Sequence, residues 1–186
     1  MAIGDNRPTD VNEAEGAVLG LIGRQPNVTR YQILRFFQQS PVKFQNVSKG
    51  SVYPLISRLE ERALIVSKAG QGPHAAPVYS LAASGRAALA RWVNRLSHQQ
   101  MLPLDPLKLR VLSLSELSPS ERVTWIATAK QLILEKKVEL ESYRERLSAN
   151  PFGGTIYAAD NESLDAKLAW LDRLLIEVAR DLTPKA

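Results

Sequence analysis

The chain has 186 residues, a formal net charge of +5 and no cysteine. That length holds one domain, or a small domain with a helical extension, and its core needs no covalent staples. Without thiols, disulfides and thiolate metal sites are excluded. The start MAIGDNRPTD lacks the apolar run of a signal peptide, and no stretch approaches the roughly 18 apolar residues of a membrane span. A soluble, cytoplasmic protein without membrane contact is expected.

In chain order, Asp10 with Glu13 reads as a capping box. The helix behind it would turn Ala14, Ala17, Val18, Leu21 and Ile22 inward. GRQPN ends it. Thr29 with Gln32 is a second capping box, opening a helix over RYQILRFFQQ with Ile33, Leu34, Phe36 and Phe37 on its inner side. SPVKFQNV connects to Ser48, which can cap a third helix. There Val52, Leu55, Ile56, Leu59 and Ala63 recur at helical spacing. LIVSKA and VYSL, joined by the turn material GQGPHAAP, predict a hairpin. A fourth helix follows over AASGRAALARWVNRLSHQQM, with Leu89, Trp92, Val93 and Leu96 as its apolar positions.

Beyond it the pattern is all helical. Asp105-Pro106 opens a short helix. SPSE at Ser118–Glu121 opens a long one that runs to about Ala149, and NPFGGT ends it. In the last helix Leu164, Leu168, Leu171, Leu175, Val178 and Leu182 form a heptad seam, which stops near Thr183-Pro184. Two long helices with apolar stripes need a partner chain or the first domain to cover them. No internal repeat or low-complexity tract is visible.

Charge divides the chain. Between Arg24 and Arg95 there are eleven Lys and Arg against two acids, Glu60 and Glu61, while from Gln99 onward twelve bases meet thirteen acids. An anionic partner is expected for the first half only. Three helices followed by a hairpin is the element order of a winged helix-turn-helix, whose third helix enters the major groove. The outward side of SKGSVYPLISRLEERALI (Ser48–Ile65) carries Ser48, Lys49, Ser51, Tyr53, Pro54, Ser57, Arg58 and Arg62. Hydroxyls and free amides at a helix N-terminus suit phosphates, and arginine suits guanine or phosphate. The blander reading of the same residues is an ordinary amphipathic helix with a solvated face.

This stretch resembles the recognition-helix signature of the PadR-type transcriptional regulators, through Ser48, Gly50, Ser51, Tyr53, Pro54, Leu55, Arg58, Leu59, Glu60, Leu64 and Ile65. AVLGLI (Ala17–Ile22), TRYQIL and PVYSLAASGRAAL resemble the family's first helix, second-helix start and wing return, so the likeness covers roughly residues 12–98. PLKLRVLSLSELSPSER and LAWLDRLL are similar to the C-terminal domain of the family's longer, virulence-activator-like branch, whose helices form the homodimer. The sequence departs from the family pattern at three places. Arg30 stands where glycine is usual. Ala63 replaces the glycine of a left-handed helix end, which implies a strained or rebuilt turn. Ala82 replaces the threonine that caps the fourth helix, so that cap is lost or moves to Ser84.

The resulting expectation is a mainly α chain: a winged helix-turn-helix of three helices plus a β-hairpin wing, then an antiparallel helical dimerisation arm. Residues 1–11 are expected to form a flexible N-terminus, 12–98 the DNA-binding domain and 99–186 the dimerisation domain. The resemblance implies sequence-specific transcriptional regulation by a homodimer, as a repressor on an imperfect palindromic operator. Expected DNA contacts are Thr29, Arg30, Tyr31, Lys43, Ser48, Lys49, Gly50, Ser51, Tyr53, Pro54, Arg58, Lys68, Gln71 and His74. Expected dimer contacts are Trp125, Leu132, Leu164, Leu168, Leu171, Leu175 and Val178. The competing class is a winged helix that binds a protein and needs no specific DNA.

No motif points to an enzyme, metal or cofactor. His74 and His98 are far apart and outside any HExxH pattern. His74 is either simply exposed or a wing-tip phosphate contact. GQGP lacks the ending of a phosphate loop, and ASG is not a nucleophile elbow. Glu135, Glu139 and Glu145 read as solvated pairs with neighbouring cations. Trp92, Trp125 and Trp170 fall on helices expected near the dimer region. They read first as core or interface anchors, and second as walls of a pocket for a small aromatic effector, since some members of the resembled family respond to phenolic or drug-like molecules.

Overall fold

A computed structural model describes residues 10–40, 48–71, 75–101 and 105–182, less the side chains of Gln99, Asp181 and Leu182. The chain is mainly helical, with a winged helix-turn-helix followed by C-terminal helices. It divides into two compact units, Met1–Leu102 and Pro103–Ala186.

In the first unit, α1 (Glu13–Arg24), α2 (Arg30–Gln38) and α3 (Lys49–Glu61) precede β2 (Ile65–Lys68), β3 (Val78–Leu81) and α4 (Ala83–Asn94), and the short α5 (His98–Met101) ends it. A two-residue strand β1 (Val28–Thr29), not expected from the sequence, makes the sheet three-stranded in the order β1-β3-β2, all antiparallel. β1 is too short to carry an alternating pattern of its own. It exists because Val28 and Thr29 lie opposite Tyr79 and Val78.

The caps of α2 and α3 form where the sequence placed them. The Gln32 N–H donates to Thr29 Oγ1 while Gln32 Oε1 accepts from the Thr29 N–H. Ser48 and Ser51 make the same reciprocal pair at α3. The cap of α1 is a correction. Asn12 and Glu15 form the box, with the Glu15 N–H donating to Asn12 Oδ1 at 2.9 Å. Asp10 instead faces Arg91 and Arg95 at 3.9 and 3.7 Å. Val18, Leu21 and Ile22 are buried as expected, but Leu19 joins them and Ala14, in the first turn, is exposed.

The core of this unit joins Leu19, Leu21 and Ile22 of α1, Ile33, Leu34 and Phe37 of α2, Val52, Leu55, Ile56 and Leu59 of α3, and Leu64, Ile65, Tyr79 and Leu81 around the sheet. Trp92 packs against this core, over Gly16 of α1. Val93, at the end of α4, and Leu96, beyond it, are exposed.

Both departures around α4 have structural consequences. Ala63 keeps the left-handed conformation (φ 51°) that glycine would take without strain. The Leu64 N–H donates to the Leu59 carbonyl and the Ala63 N–H to that of Glu60, the two bonds of a Schellman end. At α4 the side-chain cap is lost: Ala82 offers no acceptor, and the Ser84 hydroxyl donates to the Ala63 carbonyl instead. Gly85 lets α4 lie directly on the end of α3, because a Cβ there would sit 1.8 Å from the Leu64 carbonyl oxygen.

The second unit holds α6 (Pro106–Val111), a short 3-10 turn at Leu114–Glu116, α7 (Pro119–Ser148) and α8 (Gly153–Leu182). Asp105 caps α6, accepting from the Leu107 N–H at 2.9 Å. Glu121 closes the start of α7 by accepting from the Ser118 N–H at 2.8 Å. α7 and α8 run antiparallel, as their cross-pairs demand: Lys130 with Asp172, Lys137 with Asp165, and Tyr157 with Glu141. α8 begins inside the GG pair read as a breaker. A Cβ on Gly153 would lie 1.7 Å from the Leu147 carbonyl oxygen, so only glycine lets the chain reverse this closely.

The core of this unit is Ile126, Ala129 and Ile133 of α7 against Leu171 and Val178 of α8, flanked by Trp125, Leu164, Leu168, Trp170 and Leu175. Among the described residues no helix is long and apolar enough to cross a membrane.

Candidate nucleic-acid interface

The exposed side of α3 follows from its buried side. Val52, Leu55, Ile56 and Leu59 pack inward. The 3.6-residue period therefore turns Ser48, Lys49, Gly50, Ser51, Pro54 and Arg58 to solvent, with Tyr53 and Ser57 half-buried. The Ser48–Ser51 box holds this end rigidly. The Ser51 hydroxyl donates to the Ser48 carbonyl at 3.1 Å, and the Ser51 N–H donates to Ser48 Oγ at 3.3 Å. These hydroxyls are thus engaged in the cap, and the groups best placed for an anion are the first-turn amides and the Lys49 ammonium.

Arg62 does not belong to the exposed set. Its guanidinium turns back to the buried Glu15 at 3.1 Å and donates to the Asp10 carbonyl at 2.7 Å. Sequence spacing put it on the outward side. The partner that turns it lies 47 residues away and has no local signature.

Thr29 and Tyr31 stand at the start of α2. Thr29 is the N-cap, and Tyr31 is 59% exposed, which is unusual for a ring in a small domain. On the wing, Lys68 ends β2 and Gln71 lies just beyond it, both exposed. Lys43 and His74 lie outside the described residues. Arg30 is the exception among the expected contacts. Its Nε donates to the Tyr79 hydroxyl at 2.7 Å, and its far nitrogen lies 3.6 Å from Glu60. The cluster of Arg30, Glu60, Ser67 and Tyr79 escaped the sequence reading; its one visible signal was Arg30 in place of the usual glycine.

In the second unit, Leu171 is 0% exposed and Val178 is also buried within the single chain, so the heptad seam is first an intrachain contact with α7. Trp125, Leu132 and Leu164 instead line a cavity of about 850 Å³ together with Leu107, Leu117 and Ile133. Its polar lining is internally paired. The Thr124 and Thr128 hydroxyls donate to carbonyls one turn back. Lys167 meets Asp105 at 3.0 Å, and Arg110 donates to the Pro106 carbonyl. Among the described residues no group of His, Asp and Glu is arranged to hold a metal ion.

Comparison with known proteins agrees with this arrangement. Residues 18–91 match the PadR-like family of transcriptional regulators. No curated protein sequence is significantly similar to the chain. Among solved structures, Bacillus subtilis PadR in complex with operator DNA superimposes with a TM-score of 0.75 at 21% identity, covering 90% of this chain and 99% of that one. A PadR-like transcriptional regulator from Bacillus cereus gives 0.74 at 19%, over 94% and 99%. Bacillus subtilis PadR in complex with p-coumaric acid gives 0.72 at 22%, over 89% and 98%. These likenesses concern the fold.

Proposed function

We propose that the chain, whose residues 18–91 match the PadR-like family of transcriptional regulators, is such a regulator, binding an imperfect palindromic operator as a homodimer and repressing transcription there. One observation carries the reading. The outward side of α3 is capped and cationic, with Lys49 in its first turn, half-buried Tyr53 after it, Arg58 in its last turn and no exposed acid before Glu61. Inserted in a major groove, that side gives its first-turn amides and Lys49 to phosphates, and Tyr53 and Arg58 to base edges or sugar. Thr29 and Tyr31 at the start of α2, with Ser48, Gly50, Ser51 and Pro54, flank the same groove. Lys68 and Gln71 reach the adjacent backbone from the wing. Lys43 and His74 are proposed on charge and chain position alone.

Two-fold symmetry supplies the second recognition helix, about one DNA turn away. The dimer surface proposed is the flank of the α7–α8 pair around Trp125, Leu132 and Leu164, continued by Leu168 and Leu175. Leu132 is 59% exposed in the single chain. Leu171 and Val178 support that flank from inside the core. Because the polar groups of the cavity are already paired, an apolar protein surface suits it better than a polar ligand. A small aromatic effector is the second reading of this cavity, favoured by the Trp125 ring in its wall. Residence in the cytoplasm follows from the role.

The test is alanine substitution at Tyr53 and Arg58. Each variant should bind an operator duplex more weakly by about 1–3 kcal/mol if its residue reads a base edge. Unchanged affinity in both would remove α3 from the interface.

A further inference from the structure

Arg30 opens α2, yet its side chain ties together four elements. Its Nε donates to the hydroxyl of Tyr79, in the central strand β3, at 2.7 Å. Its guanidinium carbon lies 5.5 Å from the centre of the Tyr79 ring. Its terminal nitrogen stands 3.6 Å from Glu60 in the last turn of α3. Glu60 in turn accepts a hydrogen bond from the Ser67 hydroxyl of β2. Thus α2, the recognition helix and both wing strands meet at one charge-assisted cluster.

We infer that Arg30 is a positioning residue, the clamp that sets the wing against the recognition helix, and not a phosphate contact. Tyr79 is 2% exposed, so its hydroxyl depends on Arg30 for a partner. Drawing the guanidinium out to a phosphate would leave that buried hydroxyl unpaired, which is unfavourable. It would also release Glu60, one of only two acids between Arg24 and Arg95, near the polyanion. The planar fork of arginine is needed to serve Tyr79 and Glu60 at once, and a lysine ammonium cannot reproduce it. The consequence for recognition is register. With wing and α3 locked, Lys68 and Gln71 lie at a fixed separation from Lys49 and Arg58, so both sets engage the duplex together.

This inference rests on the operator-binding reading for its DNA consequence but not for its structural one. The full-length chain and its Arg30→Gln, Arg30→Lys and Tyr79→Phe variants are compared in two measurements. In hydrogen exchange of the free proteins, amides of residues 65–68 and 78–81 should exchange faster in all three variants. The expected change is on the order of fivefold, the scale of one net hydrogen bond. Unchanged wing exchange would overturn the clamp. The second measurement is binding to the duplex that the wild-type chain selects from a randomised library. Here Arg30→Lys should weaken binding as much as Arg30→Gln does, with the salt slope of wild type retained in both.

If instead Arg30→Lys binds like wild type, and Arg30→Gln lowers the salt slope by about one, Arg30 touches a phosphate and the proposal is wrong. If wild type selects no duplex, the operator reading fails, and the exchange result alone still decides the clamp.

Discussion

Ala63 holds a left-handed conformation, φ 51°, that costs an L-residue with a Cβ about 1–2 kcal/mol. The chain tolerates it because both Schellman bonds form and because Leu59 and Leu64, the residues such an end brings together, are buried. Ala63→Gly should therefore stabilise the first unit. The net gain is about 0.5–1 kcal/mol after glycine's larger unfolded-state entropy is subtracted, and urea denaturation reads it directly. A loss of stability would mean that the turn rearranges in the variant. At this scale the sequence was readable wherever cause and effect are close together. Ala63 and Ala82 stood out as departures from a pattern, and each has the backbone consequence that its chemistry implies. Arg62 and Arg30 were unreadable, because Glu15 and Tyr79, the residues that turn them inward, lie 47 and 49 positions away.

Among the elements, α3 was the most legible. Its inward residues Val52, Leu55, Ile56 and Leu59 recur with helical period and its cap is contiguous with them, so local spacing separates its two sides up to Glu61; Ala63, expected inward, lies past the helix end and is exposed. The boundaries that failed were decided by contacts instead. α1 starts two residues late because Asp10 is drawn to Arg91 and Arg95, leaving the cap to Asn12. α8 starts early because Gly153 packs under the Leu147 carbonyl. β1 exists only through its pairing with β3.

The start of α6 carries a prediction of its own. Burial pushes the pKa of Asp105 upward. The hydrogen bond from Lys167, the Leu107 amide and the charges of Lys167 and Lys108 outweigh this, and the net shift is below its ordinary 3.8. A carboxylate lowered in the folded state contributes stability above its unfolded pKa and loses it as pH falls through the folded one. Asp105→Asn keeps a cap acceptor but removes the ion pair. The variant should be less stable than wild type by about 1 kcal/mol at neutral pH. That gap should close in acid below the ordinary carboxylate range. A gap of the same size at both pH values would show that the loss is one of packing, not of charge.

For the whole molecule, charge and apolar surface are divided between the two units. The first carries the cationic excess and the capped recognition helix. The second places exposed Leu132 beside Trp125 and Leu164 on the α7–α8 pair. The proposed symmetric dimer rests on this pairing of a basic unit with one that bears an exposed apolar residue, Leu132, on its flank. Periodicity alone suggested that the heptad seam faces a partner chain. The seam is occupied first by α7, since two antiparallel 30-residue helices joined by a tight turn bury each other before anything else. What the sequence did reveal at this scale was the charge asymmetry and the order of elements, because neither depends on which residues meet across the fold.

Symmetric, sequence-specific DNA binding is decided by selection of a randomised duplex library by the full-length chain at physiological salt. The mass of the selected complex is measured alongside. The expected result is an enriched imperfect palindrome, with half-sites about one helical turn apart and two chains per duplex. Failure to enrich any sequence, with binding that vanishes steeply as salt rises, would contradict it, and would leave either a binding shape that needs an effector or a winged helix that serves a protein partner.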